Sequence, residues 1–247
     1  MIRIAAVGDV HYGPDSSGRL KPHLERLEER ADMLLLAGDL TRRGEPAEAE
    51  LLASELGGLA LPRIAVLGNH DYHAGKPDEV RAVLEEAGVT VLEGETAVHE
   101  VDGLRVGLAG VKGFGGGFWG ACGSDFGEPE MKAFVRHARA TAEDLEQALT
   151  SLEADLRIAL LHYAPIPETL EGERLEIYPF LGSYLLAEAI DRAGAEIVFH
   201  GHAHHGKEKG ATPAGIPVRN VALPVIQHAY KLYCFDAERL LASSALA

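Results

Sequence analysis

The chain has 247 residues, 47% of them apolar, and a mean hydropathy of −0.01, enough for a sizeable core and with no run long enough to span a bilayer as a helix. Its 23 basic and 38 acidic residues leave a net charge of −15, which argues against nucleic acid polymers and anionic membranes as partners. Two cysteines, Cys122 and Cys234, stand far apart without CxxC spacing, which excludes a disulfide framework or thiolate zinc site and fits a reducing, cytoplasmic setting.

The opening MIRIAAVGDVHYG turns polar too early for a secretory signal. Three segments then read alike: IRIAAVGD, DMLLLAGD and RIAVLGN each run apolar and stop at glycine followed by a polar residue. Those polar residues, Asp9, Asp39 and Asn69, recur at the length of a βαβ unit. Unbroken apolar runs describe strands buried on both faces, so the first third predicts a βαβαβ opening. Between the strands, Leu20, Leu24 and Leu27 make a helical stripe, and Glu45–Leu56 makes another. PDEVRAVLEEAG predicts a helix with Pro77 near its start and Gly88 at its stop. Asp102-Gly103 lies between two β-like runs and predicts a hairpin.

The stretch from Gly113 to Glu130 is too glycine-rich for regular structure and predicts a long loop. Two helices are expected after it, around Glu130–Arg139 and Ala142–Ala154. LRIALLH and AEIVFHGH each read as a strand ending in histidine, and short strands follow near Val218–Ala222 and Leu232–Phe235. No linker or shift of composition divides the chain, so the expectation is one domain over 1–247, with two sheets in the middle and helices outside.

In open α/β sheets, ligands bind beyond the carboxyl ends of the strands. Five such ends present Asp9 with His11, Asp39, Asn69 with His70, His162, and His202 with His204. Alternation in extended chain would pair Asp9 with His11 and His202 with His204 on one face. Carboxylate and imidazole donors without sulfur suit Mn, Fe, Zn or Co. Taken singly, Asp9 or Asp39 reads more often as a cap or turn former, and His162 as a structural histidine. Together and in order they resist that reading.

The ordered blocks GDVH, GDL, GNHD, a histidine after an apolar strand, and GHAH resemble the calcineurin-like metallophosphoesterases from Asp9 to His204. The resemblance implies an α/β fold, a central two-sheet β-sandwich flanked by helices in four αββα layers. It implies two divalent metal ions. Asp9, His11 and His204 would hold one, Asn69, His162 and His202 the other, with Asp39 bridging. His70 would act on the phosphoryl group or leaving group without ligating metal, and Asp71 would orient it. Two ions about 3.5–4 Å apart supply a nucleophile at neutral pH and relieve phosphoryl charge, the reason such a donor set suits ester hydrolysis.

Within the superfamily, phosphoprotein phosphatases carry GD-x-x-D-R-G and GNHE, whereas this chain has GDLTRRG and GNHD. Lipid A precursor hydrolases have arginine where His70 stands. GDLTRRGEPAEAE looks most like the bacterial cyclic-nucleotide phosphodiesterase branch. The expected partner is therefore a small-molecule phosphate ester, a phosphodiester first, with a phosphomonoester as the alternative. A homodimer is implied by that branch alone. A non-catalytic metal-binding scaffold is the competing class, and an intact His70 disfavours it. His200, His205 and His73 stand outside the pattern. The loop with Phe114, Phe118 and Trp119 reads equally as a substrate lid or as a packing or dimer contact.

Overall fold

The computed structural model describes residues 1–237; the last ten residues of the expected domain, 238–247, lie outside the described residues. In chain order, β1 (Ile2–Val7), α1 (Lys21–Leu24), β2 (Met33–Ala37), α2 (Pro46–Leu56), β3 (Arg63–Val66), α3 (Pro77–Glu86) and β4 (Val89–Val91) build the first half. A hairpin of β5 (Thr96–Val101) and β6 (Leu104–Val111) follows, then the two-residue strands β7 (Gly117–Phe118) and β8 (Ala121–Cys122). The second half contains α4 (Pro129–Ser151), β9 (Leu156–Leu161), α5 (Tyr178–Leu181), α6 (Tyr184–Ala193) and β10 (Ile197–His200). It closes with β11 (Lys209–Ala211), β12 (Pro217–Asn220), α7 (Leu223–Ile226) and β13 (Lys231–Phe235).

One sheet has the order β13-β1-β2-β3-β4, parallel except for β13 at its edge. The other has the order β11-β12-β10-β9-β6-β5, with antiparallel strands at both edges and parallel strands between. The apolar runs split by alternation. Ile2, Ile4, Met33, Leu35, Ile64 and Val66 face Val106, Leu108, Ile158, Leu160 and Phe199 of the other sheet, forming the central core. The opposite face of the first sheet, with Ala5, Val7, Leu34 and Leu36, packs under Leu52, Leu56, Val80 and Leu84 of the helices. Ala159, Leu161 and Val198 do the same under Leu145 and Leu149 of α4 and Ile190 of α6. The result is two mixed sheets flanked by helices, in αββα layers.

Several local expectations change. The stripe of Leu20, Leu24 and Leu27 is buried as predicted, but only four residues are regular helix, and turns closed by Leu24 and Leu27 carbonyls carry the rest. The two helices expected around 130–154 are one, Pro129–Ser151. Nothing between Arg139 and Ala142 breaks it, because the Thr141 hydroxyl is satisfied within the helix by the carbonyls of His137 (3.1 Å) and Ala138 (3.2 Å). Helix α6 is absent from the predicted elements, although its Leu186, Ala189 and Ile190 are buried at helical spacing and Ser183 caps it by accepting from the Leu185 N–H at 3.3 Å. The predicted hairpin at Asp102-Gly103 forms, with φ of 51° and 76° at the two turn residues. No helix among the described residues is long and apolar enough to cross a membrane.

Candidate metal centre

The carboxyl ends of β1, β2 and β3 meet those of β9 and β10 where the two sheets pack, and the chain turns sharply there. β1 and β2 keep pairing beyond their ends, through the N–H of Asp9 to the Gly38 carbonyl (2.9 Å) and of His11 to the Asp39 carbonyl (3.0 Å). Asp9, His11, Asp39 and His202 are left-handed, with φ of 58°, 43°, 50° and 70°. Such backbone costs of order 1–3 kcal/mol per residue and persists where surrounding structure enforces it, typically at functional sites. It also corrects the alternation argument. These residues are brought together by turns rather than by sharing a strand face, and His202 and His204 fall in different clusters.

The clusters are Asp9, His11, Asp39 and His204 on one side, and Asp39, His162 and His202 on the other, each with its donor atoms within 4.8 Å of one another. Asp39 belongs to both. Its Oδ1 lies 3.3 Å from His162 Nε2, and its Oδ2 lies 3.7 Å from His11 Nε2. Asn69 Oδ1 lies 2.9 Å from His162 Nε2, placing it with the second cluster. The carboxylates need room. A Cβ on Gly68 would collide with the Asp39 backbone nitrogen and Oδ1, and one on Gly201 with Asp9 Oδ2. The glycines of two motifs thus serve close approach rather than chain flexibility.

Electrostatics and hydrogen bonding leave the donors ready for a cation. The His162 ring bonds through Nδ1 to the Ala37 carbonyl at 2.9 Å, so a neutral ring donates there and turns its Nε2 lone pair toward Asn69 and Asp39 oxygens. The imidazole nitrogen and two side-chain oxygens converge there. His11 Nε2 is buried without a hydrogen-bond partner. Burial pulls the Asp9 carboxyl upward, but the His204 hydrogen bond at 2.9 Å and the imidazoles of His162, His204 and His202 outweigh it and hold it below its usual value. That same bond raises His204 above an ordinary histidine, while burial lowers His11 and pushes His202 down to about 3. Imidazole and carboxylate donors converging without sulfur fit divalent metal ions, and His204, raised by Asp9, must give up its proton before it can ligate one.

A family model for calcineurin-like phosphoesterases matches residues 2–206. The chain belongs to that family. Both donor clusters lie within the residues that this family model matches. An uncharacterized metallophosphoesterase of Aquifex aeolicus is 34% identical over 122 residues, 43% of this chain and 45% of that protein. A probable cyclic nucleotide phosphodiesterase of Synechococcus is 30% identical over 115 residues, 42% of each. The chain thus spans less than half the length of the curated relatives it matches. Among solved structures, the phosphopantetheinyl hydrolase of Mycobacterium tuberculosis superposes with a TM-score of 0.68 over 95% of this chain and 96% of that one, at 15% identity, a likeness of fold.

Around the phosphoesterase donor set, the remaining histidines sort clearly. His70 stands at the cleft, half-buried, with Nδ1 2.8 Å from the Arg42 carbonyl and Nε2 3.9 Å from Asp39 Oδ2. Asp71 makes no hydrogen bond to its ring, contrary to expectation. In the short turn His70–Tyr72, consecutive side chains diverge, and Asp71 points inward. There it accepts from the N–H groups of Leu40, Thr41 and Gly68 and from the Thr41 hydroxyl, at 3.2, 2.7, 2.7 and 2.6 Å. Burial and the neighbouring Asp39 charge still push it up to about 6. Asp71 therefore ties the β2 and β3 loops together, and the Arg42 carbonyl orients His70.

His200 points away from the cleft, fully buried between the Gly201 carbonyl (2.7 Å) and the Thr169 hydroxyl (2.9 Å), and His205 is exposed outside both clusters. His73 is exposed and stacks on His70 at 4.5 Å, at the cleft mouth. In the glycine loop, Phe118 is buried and Phe114 packs on Phe134 and Tyr163, while Trp119 lies outward on Tyr184. Sequence reading passes over Lys112, Tyr72 and Tyr163. The available signal is LRVGLAGVK, an apolar run ending in a charge at the same sheet edge.

Proposed function

We propose that the chain is a two-metal phosphoesterase acting on small phosphate esters, with phosphodiesters such as cyclic nucleotides as the foremost class. The observation that carries this reading is Asp39, a nearly buried carboxylate common to both donor clusters. Asp9, His11 and His204 would hold one ion beside it, and Asn69, His162 and His202 the other. Bound there, two divalent ions would acidify water and neutralise developing phosphoryl charge, a contribution on the order of several kcal/mol. Manganese is the first metal to test.

The protein's own groups do the rest. With Nδ1–H committed to the Arg42 carbonyl, His70 presents Nε2 to the cleft, where it carries a proton to the leaving oxygen. Its backbone N–H donates to Asp39 Oδ1 at 2.8 Å, so the carboxylate and the imidazole are set by one turn. The diester preference draws support from GDLTRRGEPAEAE and from the name of the Synechococcus relative. The test is turnover of a chromogenic phosphodiester and its monoester by manganese-reconstituted protein, with Asp39→Asn as the contaminant control. Diester preference abolished in Asp39→Asn is the expected result. Monoester preference would keep the chemistry and remove the cyclic-nucleotide branch, and activity surviving in Asp39→Asn would reject the site.

A further inference from the structure

We propose that the Lys112 ammonium, held among the rings of Tyr72, Phe114 and Tyr163 at the carboxyl edge of β6, binds a phosphoryl oxygen of the substrate beside the Asp39-centred clusters. This rests on the phosphoesterase reading above and adds a residue that no block of the family pattern contains.

The placement comes from the sheet. β6 runs parallel to β9 with Val111 opposite Leu161, so Lys112 leaves its strand next to His162. The Lys112 carbonyl accepts the N–H groups of both His162 (3.1 Å) and Tyr163 (3.0 Å). Its Nζ lies 4.9 Å from the Tyr72 ring centroid, 5.2 Å from Phe114 and 5.4 Å from Tyr163. Those rings are also neighbours of the site. Tyr163 follows His162 and packs on the His202 ring at 4.3 Å, and Tyr72 shares a turn with His70.

The charge is held without being cancelled. Lys112 is 7% exposed, yet no carboxylate comes within 4.0 Å of its Nζ among the described residues, and the one hydrogen bond it makes there is to the Gly113 carbonyl at 3.3 Å. Glu93, the nearest acid in effect, spends Oε1 on the Lys112 backbone N–H at 3.1 Å. An ammonium has three donors, so two remain for a ligand. A nearly buried cation with no carboxylate within 4.0 Å is costly: burial lowers its pKa, Glu93 and Asp39 attract it only from farther off, and a packing residue here would serve better as methionine. Aromatic faces return about 0.5–2 kcal/mol by cation–π attraction and leave donors of the ammonium free, whereas a direct salt bridge would occupy them. In a protein of net charge −15, such a local field assists an approaching anion.

The experiment titrates inorganic phosphate into metal-reconstituted wild type, Lys112→Met and Lys112→Arg by calorimetry, with bound metal and melting temperature measured on each. Lys112→Met is expected to keep its metal and bind phosphate about tenfold to a hundredfold more weakly, the worth of a hydrogen bond to a charged group. KM should rise more than kcat falls, and Lys112→Arg should recover most of the affinity. Unchanged phosphate affinity in Lys112→Met, or loss of its metal, makes Lys112 a support for the His162 backbone and overturns the proposal. Wild type that holds metal but neither binds phosphate nor hydrolyses either ester overturns the phosphoesterase reading, and this one with it.

Discussion

His70 and Asp39 are next to each other in space, yet the geometry gives them separable tasks. Asp39 reaches donors of both clusters, whereas the His70 ring sits at 3.9 Å from Asp39 Oδ2 with its other nitrogen committed to the Arg42 carbonyl. Removing the His70 ring should therefore leave metal content unchanged. His70→Ala is expected to lose about 10²–10⁴ in kcat, the usual worth of a positioned proton donor. Elemental analysis and single-turnover kinetics on the same sample check both halves. Loss of one ion in His70→Ala would make His70 a ligand. The neighbouring Asp71 shows where residue-level reading reaches its end. Adjacency in GNHD suggests a carboxylate that steers the imidazole, but adjacency along a helical turn sends side chains in different directions, and only the turn shows which way.

Elements with continuous apolar runs were legible because burial on both faces leaves no polar position to vary, and β1, β2, β3, β9 and β10 all lie where those runs stand. Boundaries set by one or two hydrogen bonds were not, as α1 and the uninterrupted α4 show. The loop leading into α1 depends on such a feature, Glu55 of α2. This buried carboxylate accepts from the N–H groups of Gly18 (2.5 Å), Lys21 (2.8 Å) and Leu20 (3.1 Å). Burial alone would raise its pKa, but those bonds win and lower it below the ordinary 4.5. A depressed carboxyl contributes stability above its unfolded pKa and loses it as pH falls through the folded one. Glu55→Gln should thus cost about 1–3 kcal/mol at pH 7. Urea unfolding at pH 7 and pH 3 should show the gap to wild type shrinking in acid; an equal gap at both would mean that the amide loses packing rather than charge.

At the scale of the molecule, the donor clusters lie across the seam between the sheets. Asp9, His11, Asp39 and Asn69 come from the ends of the first sheet's strands, while His162, His202 and His204 come from those of the second. The apolar face between the sheets holds them together through the core, but their carboxyl edges meet as carboxylates, lone pairs and left-handed backbone. An ion that binds this arrangement and not the unfolded chain stabilises the fold, by about 2.7 kcal/mol at a hundred times its dissociation constant. Ions bridging the seam should therefore raise the melting temperature of the whole molecule in a single transition, and a chelator should reverse the gain. The effect should fade toward acid because His204, held above the ordinary histidine value by Asp9, must lose its proton to bind an ion, whereas burial keeps His11 and His202 neutral to lower pH. Asp39→Ala separates a specific seam from surface binding, since it removes the one carboxylate common to both clusters while leaving the acidic exterior intact. Calorimetric scans with and without manganese at pH 8 and pH 5 should show the rise only in wild type, and chiefly at pH 8. A rise of equal size in Asp39→Ala would assign the stabilisation to the protein's negative surface.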